Sequence, residues 1–182
     1  MDALLTPRLR LVPLTRDELS ALGATEVPRL RIAGAAIVPQ LVDPPVVRAI
    51  RAKMEEMEHA PTEEHPWLTY WLIVLRSEER GIGLVGLKGA PNDDGEVEIG
   101  YGIAPEYRCR GMATEAASGL IGWAFSDPRC WAVSAIGVRD DNVASKRVLE
   151  KLGMRSVRRD DRRSDWRVAA GGRLTRRRRR QA

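Results

Sequence analysis

The sequence predicts a mixed α/β domain of about seven strands and four helices. Three observations carry this. In GEVEIGYGI the apolar residues Val97, Ile99, Tyr101 and Ile103 alternate with period two, which is a strand half-buried on one face. After the turn Arg108-Cys109-Arg110-Gly111, residues Ala113, Ala116, Ala117, Leu120, Ile121 and Ala124 recur at helical spacing from about Met112. A second apolar strand follows at Cys130–Val138, so residues 96–138 read as a strand–helix–strand unit whose strands run parallel.

Earlier elements follow in order. Leu5 to Leu14 alternates as a first strand. Thr15-x-x-Glu18 is a capping-box pattern for a short helix ending before Gly23. Residues 24–42 are rich in Ala, Pro and Gly and give no clear pattern. Asp43-Pro44-Pro45 opens a second helix to about Glu58, because proline suits a first turn whose N–H groups lack helical partners. Its face Val46, Ile50, Met54 and Met57 reads as core packing. Pro61 to Pro66 reads as a loop. Thr69–Leu75, Ile82–Lys88 and the strand of Glu96 and Glu98 are joined by short polar turns, hence an antiparallel meander.

Later, Asn142 stands at an N-cap position, Ala144, Val148 and Leu152 share a face, and Gly153 ends the helix. Met154–Val157 and Asp165–Val168 are expected to form a last hairpin. The organisation is one domain over residues 1–169 and a basic, disordered tail over 170–182 containing five arginines, Arg176–Arg180.

Composition narrows the function classes. At 182 residues with 43% apolar content the chain is long enough for a sizeable core. No apolar run reaches the ~20 residues of a membrane span, and no signal peptide is visible. Two cysteines, Cys109 and Cys130, do not make a disulfide framework, so a cytoplasmic protein with free thiols is expected. The net charge of +5 is uneven: residues 155–182 hold twelve Arg and three Asp, or +9, which leaves −4 on the first 154. Any inference from basicity to nucleic acid therefore concerns the C-terminal end alone.

The turn at 108–111 carries the chemistry. The first N–H groups of a helix lack partners and sit at the positive end of its dipole, so they suit a diphosphate. Gly111 and Ala113 are small where phosphates approach, and Arg108 and Arg110 add charge. An ordinary strand-to-helix turn has the same composition.

The wider pattern resembles a known family. Arg108-x-x-Gly111-x-Ala113 is similar to the pyrophosphate loop of the GNAT superfamily of N-acetyltransferases, and the stretch Asn142 to Met154 resembles its second signature. The opening Thr6-x-Arg8-Leu9-x-Leu11-x-x-Leu14 is similar to the branch that includes enzymes acetylating the N-termini of ribosomal proteins.

The resemblance implies a GNAT fold and acetyl transfer from acetyl-CoA to a primary amine, a protein N-terminus or a small amine, by direct attack in a ternary complex. It implies that the amides of Arg110, Gly111, Met112, Ala113 and Thr114, with Arg108, hold the diphosphate. Main-chain groups near Ile103 would take the pantetheine arm and the thioester carbonyl, and Asn142 would contact the pantetheine or cap its helix. Glu98 would serve as base or water relay, though with Glu96 it also fits a solvated face or one that attracts a cation.

Many family members place a tyrosine seven residues after the motif asparagine. Here that position is Leu149, so Ser145 becomes the candidate acid, or a plain helix-start residue. Cys109 lacks a His partner for a nucleophilic role. His59 and His65 do not make a metal site. Two other readings stand beside the enzyme: an acyl-CoA-binding sensor without turnover, and ribosome or RNA contact through Arg176–Arg180. The oligomeric state is expected to be monomer or homodimer.

Overall fold

The computed structural model describes residues 2–24, 30–160 and 162–172. Ten strands form one mixed sheet, with a main path ordered β1-β2-β5-β6-β7-β8-β10-β9. The strands are β1 (Leu4–Leu5), β2 (Leu9–Pro13), β3 (Arg31–Ile32), β4 (Ala35–Ile37), β5 (Tyr70–Leu75), β6 (Arg80–Leu87), β7 (Glu96–Ile103), β8 (Ala132–Arg139), β9 (Arg155–Arg159) and β10 (Arg163–Ala169). Among the described residues the helices are α1 (Arg16–Gly23), α2 (Pro44–His59), α3 (His65–Leu68), α4 (Met112–Ala124) and α5 (Val143–Lys151).

The meander β5-β6-β7 is antiparallel and β7 pairs with β8 in parallel, as the sequence implies. Among the described residues there are ten strands and five helices, beside the expected count of about seven and four. The expected first strand is two: Pro7 has no N–H to give a ladder, and the Thr6 hydroxyl accepts from the Leu9 N–H at 3.1 Å, turning β1 back on β2. Within 24–42 the chain makes the β3–β4 hairpin, and β4 adds to β6 in parallel. The expected loop at 61–66 is instead a 3-10 turn over Thr62–Glu64 running into α3. It is held by burial of Trp67, whose ring packs on Trp123 of α4 at 4.5 Å between centroids.

Local signals set the helix ends. Thr15 and Glu18 form the reciprocal capping box of α1. The Asp43 carboxylate accepts from the Val46 N–H at 2.9 Å at the start of α2. In α2, Ile50 and Met57 are buried as expected, and so is Lys53. The last hairpin is present as β9–β10. Ala170–Gly172 form a 3-10 turn, and the rest of the expected tail, with Arg176–Arg180, lies outside the described residues.

Cross-strand partners share a face, which fixes the two sides of the sheet. The row Trp71, Val85, Tyr101 faces α4, since Trp71 meets Trp123 with centroids 5.2 Å apart. The row Tyr70, Gly86, Gly100 faces α2, where Lys53 lies over the Tyr70 ring at 5.0 Å. Helix α4 reaches the sheet closely because Gly119 has no side chain: a Cβ there would lie 3.1 Å from Thr6 and 3.3 Å from Leu11.

Candidate active site

The two parallel strands separate after a short ladder. Pairing between β7 and β8 covers Glu96–Glu98 against Ala132–Ser134 and then ends. The Lys88 N–H donates to the Glu98 carbonyl at 2.9 Å and the Ala104 N–H to the Ile82 carbonyl at 2.9 Å. Even-numbered main-chain groups of β7 therefore face β6, and those of Tyr101 and Ile103 face the gap toward β8. Five residues from Glu98 to Ile103 give that gap a depth of about 15 Å.

The mouth of the gap is the turn before α4. Gly111 is its N-cap with φ +79°, and Cys109 also has positive φ, at +61°. Left-handed geometry at a non-glycine costs roughly 1–2 kcal/mol, and such strain collects at ligand sites. Such a turn stands directly before the first amides of α4, and free helix-start amides suit an anion. The Arg108 guanidinium donates through Nε to the Ile103 carbonyl at 2.9 Å, joining the turn to the end of β7.

A cleft of about 560 Å³ occupies this gap. Ile103 lines it from β7, and Arg108, Gly111, Met112, Ala113 and Thr114 line it from the turn and α4. Asn142 and Ser145 line it from α5. The Asn142 side chain accepts from the Ser145 N–H at 3.1 Å, capping α5. Arg110 is not part of the lining: its carbonyl accepts from Arg8 Nη1 at 2.9 Å and its guanidinium sits 5.6 Å from the Tyr107 ring centroid.

Glu98 is on the other face of the sheet, outside the cleft lining, and forms an ion pair with Lys88 directly across the β6–β7 ladder. Glu96 is likewise paired, with Arg167 Nε at 2.8 Å. The expectation that these two carboxylates draw in a cationic acceptor is thus weakened, since each already has a cation. Beside Glu98, a Cβ added at Gly100 or Gly102 would meet nothing within 4 Å, so the α2 face of β7 is an open floor.

Ala144 and Val148, which share a face of α5, line the cleft, while Leu149 is fully buried. Sequence reasoning missed Tyr101, whose alternation with Val97 and Ile99 marks it as core. Its hydroxyl lies 3.1 Å from Ser145 Oγ and 3.4 Å from the Ser145 carbonyl oxygen. Burial raises the Tyr101 pKa above its ordinary value, an effect the Ser145 hydrogen bond partly offsets. Lys88, Arg8 and Glu115 were missed too, because their partners are remote in sequence. Cys109 is exposed and Cys130 buried, and neither forms a disulfide. Among the described residues no group of three or more His, Cys, Asp or Glu could hold a metal, and no helix is long and apolar enough to cross a membrane.

A model of the acetyltransferase (GNAT) domain matches residues 8–155. The chain belongs to the GNAT acetyltransferase family. It is similar to the uncharacterized N-acetyltransferase YjdG of Bacillus subtilis (strain 168), with 39% identity over 85 residues covering 46% of this chain and 49% of the relative. The chain thus spans about half the length of the curated relatives it matches.

Solved structures show the same GNAT fold. The ribosomal-protein-S5-alanine acetyltransferase of Vibrio fischeri superposes with TM-score 0.66 at 14% identity, covering 93% of this chain and 97% of that one. RimL, a ribosomal L7/L12 alpha-N-protein acetyltransferase in complex with coenzyme A, gives 0.62 at 12% identity, covering 92% and 98%. Leu149 is wholly buried, so this position supplies no group to the cleft.

Proposed function

We propose that this GNAT chain transfers an acetyl group from acetyl-CoA to a primary amine, by direct attack within a ternary complex. The observation that carries the reading is the continuity of one cleft, from the left-handed turn at Gly111 to the hydroxyl of Ser145. The residues fit the donor: a turn with small side chains and helix amides matches a diphosphate, and inward-facing main-chain groups of Tyr101 and Ile103 match an extended amide-bearing arm.

When bound, acetyl-CoA supplies a thioester carbonyl and a thiolate leaving group. The amides from Gly111 to Thr114, with Arg108, hold the diphosphate. The Ile103 N–H polarises the carbonyl as an oxyanion-type donor. Asn142 fixes the start of α5, and Ser145 presents its hydroxyl to the sulfur. The acceptor amine approaches over the open floor of Gly100 and Gly102. Glu98, beside it, removes the amine proton through water, after the incoming ammonium displaces Lys88.

The acceptor class is a protein N-terminus or a small amine. The ribosomal-protein acetyltransferases among the structural neighbours favour the N-terminus. Calorimetric titration with acetyl-CoA, followed by an amine and peptide screen for thiol release, tests the reading. Micromolar binding with amine-dependent thiol release supports it, and failure of the protein to bind acetyl-CoA overturns it.

A further inference from the structure

We infer that Arg147 and Lys151 on α5 bind the 3′-phosphate on the adenosine end of the donor, so that this chain selects the 3′-phosphorylated nucleotide as well as the diphosphate. The inference rests on the acetyl-CoA reading above and adds two specificity-determining residues to it.

Helix α5 gives the cleft a face that the proposed acetyl transfer leaves unused. Ala144, Arg147, Val148 and Lys151 all line the cleft, and they stand at i, i+3, i+4 and i+7, one strip along the helix. Their neighbours Ser145 and Leu149 turn inward instead, to the Tyr101 hydroxyl at 3.1 Å and to the core. The donor's pantetheine arm enters the gap between β7 and β8, so the adenosine must leave the diphosphate along the rest of the lining. That remaining surface is the outer strip of α5, two cations beside two small apolar side chains.

The charges agree with this. Among the described residues lining the cleft, three are cations, Arg108, Arg147 and Lys151, and none is a carboxylate. Arg108 is tied to the Ile103 carbonyl at 2.9 Å. Other cations nearby have anions of their own: Lys146 and Arg159 pair with Asp140, and Arg139 pairs with Asp141. Among the described residues, the Arg147 and Lys151 side chains make no ion pair and no hydrogen bond. The unpaired cations of α5 are thus the two that face the cleft.

Side chains four apart on a helix start about 5–6 Å from each other, close enough for both to reach one phosphate. A phosphate monoester carries about −1.5 to −2 charges at pH 7, and the Arg147 fork can take two of its oxygens. The apolar surface of Ala144 and Val148 offers the adenine ring a flat neighbour.

Calorimetric titration with coenzyme A and with dephospho-coenzyme A, which has a hydroxyl in place of the 3′-phosphate, tests the inference. The parent should bind coenzyme A more tightly by about tenfold or more. Arg147→Ala and Lys151→Ala should each lower coenzyme A affinity several-fold, and together they should bring the two ligands to within about twofold. Dephospho-coenzyme A affinity should stay at the parent's value in every variant, which a merely structural role would not allow. Lys146→Ala, which removes a cation turned toward Asp140, should keep the parent's ratio. Equal parental affinity for the two ligands, or a double variant that still discriminates, would overturn the inference and leave the donor reading intact. So would a Lys146→Ala ratio that falls as far as that of Arg147→Ala, since net charge alone would then explain the preference. Binding of neither ligand by the parent would overturn both readings.

Discussion

Arg8 Nε donates to the Glu115 carboxylate at 2.7 Å, tying the start of β2 to the first turn of α4. The same carboxylate accepts from the Arg8 N–H at 2.8 Å and the Thr6 hydroxyl at 2.6 Å, while Arg8 Nη1 reaches the Arg110 carbonyl at 2.9 Å. One carboxylate thus anchors the proposed phosphate turn to the far side of the sheet. Burial opposes its ionisation, but the hydrogen bonds from Thr6 and Arg8 and the Arg8 charge outweigh that and hold its pKa below the usual value.

Glu115→Gln should weaken acetyl-CoA binding several-fold and lower unfolding free energy by about 1–2 kcal/mol at pH 7. A lowered folded-state pKa gives stability that is present above the ordinary carboxylate range and is lost as pH falls through the folded value. Urea denaturation from pH 7 down to pH 3 should therefore show an acid loss in the parent that is smaller in Glu115→Gln. Parallel curves would refute the anchoring role.

Gly111→Val places a β-branched residue at φ +79°, where the cost is conformational, since an added Cβ meets only Arg8 Nη2 at 3.5 Å. The expected stability loss is about 1–2 kcal/mol, with the helical circular dichroism retained. Acetyl-CoA affinity should fall below detection. A folded Gly111→Val protein that binds at parental strength would place the diphosphate elsewhere.

Donor and acceptor are proposed to use opposite faces of β7. Gly100→Val fills the open floor outside the cleft lining and should raise KM for the amine at least tenfold, with calorimetric acetyl-CoA binding unchanged. Glu98→Gln should lower kcat by about 100-fold, also without effect on donor binding. Equal loss of donor affinity in either variant would show that the floor belongs to the donor site.

Lys53 donates to the carbonyls of Leu68 and Leu87 at 2.8 and 2.7 Å inside the wall formed by α2, α3 and β6. Burial is the main cause lowering its pKa to about 8, with Glu56 opposing and Lys88 adding to the fall. The unfolded chain then binds more protons than the folded one from pH 8 to 10.5, so stability from this group rises with pH there. The gain is at most about 1.4 kcal/mol per pH unit. Chemical denaturation at pH 8, 9 and 10 should show a rise in the parent that Lys53→Met lacks. Identical pH slopes would mean that the folded structure does not lower the Lys53 pKa.

Much of the site was legible because its signals are local. The strand alternation to Ile103, the Gly111 turn, the apolar face of α4 and the Asn142 cap each sit within a few residues of their partners, and all appear in the fold. The short helix His65–Leu68 was not legible, because its buried Trp67 is held by packing on Trp123 of another helix. Tyr101 was hidden by its own regularity. A residue on the core face of a strand reads as packing until the strand beside it moves away and exposes it to a cleft.

The sequence by itself determined the order of elements, the parallel unit at residues 96–138 and the turn that opens α4, since backbone sterics, capping and side-chain period act over short stretches. Tertiary structure decided which groups meet: Lys88 against Glu98, Arg8 against Glu115, Tyr101 against Ser145. Pairing across a sheet and the parting of two strands depend on contacts between residues tens of positions apart, and no local pattern carries them.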